Sequence, residues 1–387
     1  MFKFFLKRVK LFFREKRLFF YKKYYGKKIN IIPVYGNSFI EENNIRSILI
    51  SNEGGKIGDT VITSFMFREI KKKYPEIKIH TVLKGVTKEI LNFNPYVDRI
   101  FDYQDENLNI IAKTIKNENY DLMIYIREKT KERELKFIRN CGARFNIGID
   151  KEGWKLFDLS ANRGKDFDEK AHLIKSHSTI LKKIGIPDPI DTSYDIFFDE
   201  QRNLLRTELE AQFEKKEVVV INPYGASKHR CFSIETLQNL IEHFHDWTII
   251  LLHHNGKRDE VEKVKDWREN VIIPEKIDGI LDAAVYISIS DLVITPDTSI
   301  VHVASTYNKS IIVVYAHPEK LKNENGDHFI YSAAGRKKAH NIFCDVDVKL
   351  FKNDNHHISV NQYNRDEMTK TINALKVELE LSKKGYS

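Results

Sequence analysis

The sequence is poor in the features that mark a secreted, membrane-spanning or metal-built protein. It has three cysteines, Cys141, Cys231 and Cys344. They are far apart and odd in number, so they make neither a disulfide framework nor a zinc site, and a reducing cytosol suits them. No run of about 18 apolar residues occurs, which excludes a membrane-spanning helix. Residues 1–28 lack the uninterrupted apolar core of roughly seven residues that a signal peptide needs. What remains fits a soluble globular chain: 42% apolar, 30% charged and, at 387 residues, long enough for two domains with proper cores.

The net charge of +8 is unevenly placed. Residues 1–28 hold eleven Lys/Arg against the single Glu15, a local charge of +10, which leaves 52 basic and 54 acidic residues elsewhere, or −2. The body is therefore close to neutral, which argues against nucleic acid as a partner. Within 1–28 the cations alternate with Phe2, Phe5, Leu6, Val9, Phe12, Phe13, Phe19 and Phe20, and Tyr21, Tyr24 and Tyr25 close the segment. That spacing predicts an amphipathic helix suited to an anionic membrane surface, the other reading being a helix packed on the body through its aromatics.

From residue 46 the pattern alternates. Strands are predicted over 47–51, 78–83, 99–103, 121–126 and 144–147, with helical periodicity over 61–73 and 108–117. The alternation weakens over 150–199, which reads as a connector. It resumes with strands over 218–222, 248–253 and 271–273 and helices over 234–244, 258–267 and 279–289. Strands 292–295 and 311–315 then flank a helix spaced by Ile300, Val303, Ala304 and Tyr307, with Asn308 as a left-handed stop. This order predicts an α/β protein of two Rossmann-like halves facing a central cleft, residues 44–190 and 215–345. Before them lies the basic aromatic segment 1–30. After them a helix over 362–383, carrying Met368, Ile372, Leu375, Leu379 and Leu381, is expected to pack back across the first half.

The loops at strand ends carry the chemistry. The loop 52–60 contains Gly54, Gly55, Lys56, Gly58 and Asp59. Its glycines match neither G-x-G-x-x-G nor the Walker pattern, so a dinucleotide or ATP motif is not supported. Asp59 opens the next helix, where it caps the backbone or, beside a bound sugar, accepts a hydroxyl proton. Pro223 through Arg230 combines small residues with Lys228 and Arg230, a composition suited to a diphosphate. Pro296-Asp297-Thr298-Ser299 stands where a strand meets a helix N-terminus, a place open α/β sheets use for phosphate. Arg127, Lys129 and Lys131 follow the strand over 121–126, where they read as a solvated charge run or, less simply, as a surface for an anionic acceptor.

Gly58-Asp59-Thr60-Val61, with Ile70-Lys71-Lys72-Lys73-Tyr74-Pro75, resembles the N-terminal signature of glycosyltransferase family 9, the bacterial heptosyltransferases of lipopolysaccharide core assembly. Asp291-Leu292-Val293-Ile294, Asp297-Thr298-Ser299 and His302-Val303-Ala304-Ser305 resemble its C-terminal signature. Asn222-Pro223 with Gly225-Ala226-Ser227 and Arg230 resembles its donor-phosphate loop. The resemblance covers about residues 46–315. It implies the GT-B fold and an inverting, metal-free transfer, usually from ADP-heptose and with no cofactor. Asp59 would be the general base. Ser227, Arg230, Asp297, Thr298, Ser299 and His302 would hold the donor, and Lys56, Arg127 and Lys129 the acceptor. Serine at 299, where the family more often has glycine, arginine at 230 for lysine, and Ser64-Phe65 for Leu-Pro are departures.

The expected chemistry is a direct displacement on a nucleotide sugar by the hydroxyl of a lipid-linked glycan. It would occur on the cytoplasmic face of the inner membrane, reached through residues 1–28. Asp345-Val346-Asp347 has the letters of a metal motif but lies beyond the donor loops and reads as surface. Two other functions remain: a transferase of the same fold using another nucleotide sugar, or a non-catalytic membrane-associated glycan-binding protein. Asp59, Asp297 and His302 argue for catalysis.

Overall fold

Runs of aliphatic and β-branched residues set the frame of the chain. The computed structural model describes residues 16–27, 31–52, 55–104, 108–318, 339–346 and 358–383, and the chain divides into two units, Met1–Ser193 and Tyr194–Ser387. In the first unit six strands form one sheet: β1 (Ser47–Ser51), β2 (Lys78–Lys84), β3 (Arg99–Tyr103), β4 (Leu122–Tyr125), β5 (Phe145–Ile149) and β6 (Leu159–Ala161). Their order is β3-β2-β1-β4-β5-β6, and every neighbouring pair is parallel. Ile48, Leu49, Ile50, Leu122, Met123 and Ile124 are fully buried, as a sheet covered by helices on both faces requires.

The helices of this unit are α1 (residues 16–24), α2 (Phe39–Glu42), α3 (Ile57–Lys73), α4 (Leu108–Asn117), α5 (Glu132–Cys141) and α6 (Leu173–Ile184). The stretch 150–199, expected as a connector, contains β6 and α6. On α6, Leu173, Ser176, His177, Ser178, Ile180, Leu181 and Ile184 are buried, so three polar residues occupy core positions and break the apolar stripe. Ser64 and Phe65 are fully buried on α3, where Phe65 lies beside the His177 ring at 6.4 Å and the Ser64 hydroxyl donates to Val61 O at 2.7 Å.

The second unit repeats the plan. β7 (Val218–Ile221), β8 (Thr248–Leu251), β9 (Val271–Ile272), β10 (Leu292–Pro296), β11 (Ser310–Pro318) and β12 (Ala339–Cys344) form a sheet in the order β12-β11-β10-β7-β8-β9. The helices are α7 (Glu200–Gln212), α8 (Ile234–Ile241), α9 (Arg258–Glu262), α10 (Ile280–Ile289), α11 (Ile300–Thr306) and α12 (Arg365–Lys383). The helix expected over 258–267 breaks after Glu262 and restarts as a 3-10 turn at Lys265–Trp267. Asn308 has the left-handed φ of 52° expected of a stop. Met368, Ile372 and Leu375 of α12 belong to the core of this second unit, beside Ile342, Val360 and Tyr363. The stripe expected to pack across the first half is therefore spent inside the second.

Of the basic N-terminal segment, residues 1–15 and 28–30 lie outside the described residues. Residues 16–24 are helical, and Leu18, Tyr21 and Tyr25 pack against the core of the first unit. No helix among the described residues is long and apolar enough to cross a membrane.

Candidate active site

Both sheets have one place where the strand order reverses: between β1 and β4 in the first, and between β7 and β10 in the second. Open α/β sheets bind ligands at the carboxyl ends of the two strands flanking such a point, because the loops there diverge and leave a crevice. The predicted site residues fall on these four loops, Lys56 and Asp59 after β1, Arg127 and Lys129 after β4, Ser227 and Arg230 after β7, and Asp297 to Ser299 after β10. His302 follows within α11.

In the first unit Gly55 lets the chain fold tightly onto Asn52. A Cβ at Gly55 would lie 2.1 Å from Asn52 Oδ1, so any side chain there would push the Asn52 amide aside. Asp59 sits in the first turn of α3, where Oδ2 accepts the Lys56 backbone N–H at 3.0 Å. This capping bond fixes the carboxylate and engages one of its oxygens. Lys56 itself is exposed.

The loop after β4 is more constrained than its charges suggest. Arg127 Nη1 donates to Glu134 Oε1 at 2.9 Å, and the Glu134 side chain is 1% exposed. The same carboxylate accepts from Tyr125 Oη at 3.1 Å and from the Lys131 backbone N–H at 2.6 Å. From the end of β5, Lys151 reaches under the loop and donates to the carbonyls of Arg127 at 3.3 Å, Glu128 at 2.8 Å and Ile149 at 2.5 Å. Burial pulls the Lys151 ammonium down to about 8, against the nearby carboxylates of Asp150 and Glu128. Arg127 is thus a half-buried, carboxylate-bound side chain, and Lys129 and Lys131 are exposed cations of the loop. The sequence does not announce Glu134 or Lys151, because charged residues in a charged run read as solvated surface.

In the second unit the loop after β7 turns sharply at Gly225, where a Cβ would come within 2.3 Å of Arg230 O. The turn brings Arg230 to the neighbouring loop, and Nη1 meets Asp297 Oδ2 at 3.1 Å, with both side chains about two-fifths exposed. Asn222 ties the loops together below this pair, donating through Nδ2 to Thr295 Oγ1 at 2.9 Å and to Tyr224 O at 2.8 Å. Ser227 Oγ lies 3.3 Å from His229 Nε2. Thr298 Oγ1 accepts the Ile300 N–H at 3.2 Å, so the threonine is the side-chain cap of α11. Ser299 has φ −59° and ψ −23°, helical values that place no demand for glycine. His302 is buried with its ring 6.4 Å from Tyr194, so it packs beneath the loop and is not grouped with the exposed pair. Asp345 is exposed at the end of β12, and Asp347 lies outside the described residues.

The chain has recognisable relatives. The family model described as glycosyltransferase family 9 (heptosyltransferase) matches residues 109–325. Lipopolysaccharide heptosyltransferase 3 of Escherichia coli K12 is 24% identical over 204 residues, covering 48% of this chain and 56% of that protein. The crystal structure of a family 9 glycosyl transferase from Veillonella parvula superposes with a TM-score of 0.65 at 16% identity, over 86% of this chain and 97% of that one. The ADP-heptose lipopolysaccharide heptosyltransferase II of Escherichia coli gives 0.62 at 14% identity, over 86% and 99%. These structural likenesses establish the GT-B fold. With a family match over more than half its length, the chain belongs to glycosyltransferase family 9 and is a glycosyltransferase.

Proposed function

We propose that the protein catalyses an inverting, metal-independent transfer of a sugar from a nucleotide diphosphate donor to a hydroxyl of a lipid-linked anionic glycan. ADP-heptose is the expected donor and a lipopolysaccharide core the expected acceptor. The observation that carries this reading is the Arg230–Asp297 pair at the switch point of the second sheet. One guanidinium N–H is committed to Asp297, and the rest of the fork remains for a diphosphate, the group whose charge must be stabilised as it departs. Asp297 then holds Arg230 in place and accepts from donor sugar hydroxyls, while Ser227, Thr298 and Ser299 supply short polar contacts.

On the first unit Asp59 takes the proton of the acceptor hydroxyl as its oxygen bonds to the anomeric carbon. The carbon–oxygen bond to the nucleotide breaks on the opposite side, and the electron pair leaves with the diphosphate. Lys56 and Lys129 are the exposed cations for acceptor phosphate or carboxylate groups. Arg127, held by Glu134, shapes that surface. The basic segment 1–28 places the enzyme on the inner face of an anionic membrane, where a lipid-linked acceptor is found.

The test is mass spectrometry of products from a panel of nucleotide sugars, with and without EDTA, and proton NMR of the product for its anomeric configuration. Transfer from ADP-heptose with inverted anomeric configuration, unchanged by chelation, is expected. Hydrolysis without transfer, transfer only from other nucleotide sugars, or a reaction restored by magnesium would each refute the corresponding part.

A further inference from the structure

Of the two expectations for the N-terminal segment, packing on the body is met by one face of its described part, and a second face is left outward. Inward, Leu18, Tyr21 and Tyr25 pack on the first unit's core. Tyr21 Oη donates to Glu132 Oε1 at 2.9 Å, Arg139 Nε donates to Gly26 O at 3.0 Å, and Lys27 Nζ reaches Asp158 at 2.6 Å in a pair less than a tenth exposed. Outward, Phe19, Phe20 and Tyr24 are 62%, 56% and 56% exposed, and Phe20 and Tyr24 lie ring to ring at 5.1 Å. Lys16, Arg17 and Lys23 are exposed around them, and residues 16–27 contain no acidic side chain. A fixed helix with three rings outward and cations beside them suits neither bulk water nor a neutral partner.

We infer that this outward face of α1 seats in an anionic bilayer, and that it sets the membrane against the acceptor end of the first unit. The direction follows from the contacts. Arg17 and Tyr21 meet Glu132, while Tyr25 and Gly26 meet Arg139, so α1 runs parallel to α5. The leading end of α1 therefore lies at the carboxyl ends of the strands. The first turn of α5, which it touches there, also holds Glu134 and, through it, Arg127. An acceptor bound at that end while α1 is seated must itself be anchored in the same leaflet. The acceptor class is thus an amphiphile whose sugar projects only a short way from the membrane. This rests on the proposed transfer reaction for its acceptor, but the surface is tested without it.

The full chain is sedimented with vesicles of phosphatidylglycerol and phosphatidylethanolamine, or with phosphatidylcholine alone. Anionic vesicles should bind it, and part of that binding should resist salt because the rings insert. The combined Phe19→Ser, Phe20→Ser, Tyr24→Ser variant loses only exposed rings. It should bind at least about tenfold more weakly and lose the salt-resistant part. In a second arm, Phe20→Trp should be quenched by brominated phosphatidylglycerol, whereas Asn117→Trp, exposed at the last residue of α4 and so at the opposite end of the sheet, should not. Unchanged affinity in the triple variant, equal binding to neutral vesicles, or no quenching at position 20 would overturn the inference. So would a concentration-dependent dimer abolished by the triple variant, because the face would then serve a second copy. Vesicle binding without any sugar transfer would sink the transfer reaction and leave this surface standing.

Discussion

At the scale of single residues, Asp59 and His177 make opposite demands on their protons. Asp59 is held by one backbone N–H and is proposed to take a proton from the acceptor alone. Asp59→Asn keeps the shape and the capping geometry, so it should lower turnover by about 10²–10⁴ while leaving nucleotide affinity nearly unchanged. Titration calorimetry with ADP, run beside a transfer assay, checks this, and near wild-type turnover would remove Asp59 from the mechanism. His177 is fully buried beside Phe65, and among the described residues neither ring nitrogen has a hydrogen-bond partner. Burial, with a smaller contribution from His172, pushes its imidazole from 6.5 down to about 3. Between those values the unfolded chain binds the proton and the folded chain does not, so stability falls as pH drops through this window. From pH 7 to 5 the loss from this group is about 2 kcal/mol. Urea unfolding of His177→Leu should show a correspondingly smaller drop between those pH values, and an identical drop would refute the assignment.

At the scale of elements, the strands over 47–51 and 99–103 and the helix over 108–117 are found where the sequence places them, because each has one clear period and a polar boundary. The positions of the loops after β7 and β10 were legible for a similar reason. Small residues, Arg230 and Asp297 stand at strand ends, and strand ends are where chemistry collects. What escaped notice has a physical cause in each case. β6 has three residues, too few for alternation to register. α7 buries no residue, and its Arg202–Asp282 bond to α10 at 2.7 Å is a contact no local pattern shows. The loop after β4 hides most, since its order depends on Lys151, which is 24 residues beyond Arg127 and 1% exposed. Lys151→Met removes that donor and leaves carbonyls of the loop unsatisfied, at a cost of about 1–3 kcal/mol. Hydrogen exchange should quicken across 126–131 while β1 stays protected, and unaltered exchange there would show that the loop holds itself.

At the scale of the whole molecule, two sheets of the same strand order divide the labour, each offering the loops of its own switch point. The core of the second unit includes residues from Val219 to Leu375, with α12 closing it. Leu375→Ala should cost about 2–5 kcal/mol. Protection from hydrogen exchange should fall across β7–β12 and stay unchanged across β1–β6. A loss spread over both sheets would mean that α12 stabilises more than its own unit.

The place of α12 also sets an order of events during synthesis. Domains emerge and fold from the N-terminus. The first unit, with α1 already against α5, is complete once α6 has left the ribosome. The second cannot close its core until α12 has emerged, although the loops after β7 and β10 were made long before. A nascent or interrupted chain therefore carries a finished first unit, the proposed acceptor side, and an unfinished second one. On the proposed surface and reaction, it would reach the bilayer before it could spend a nucleotide sugar there.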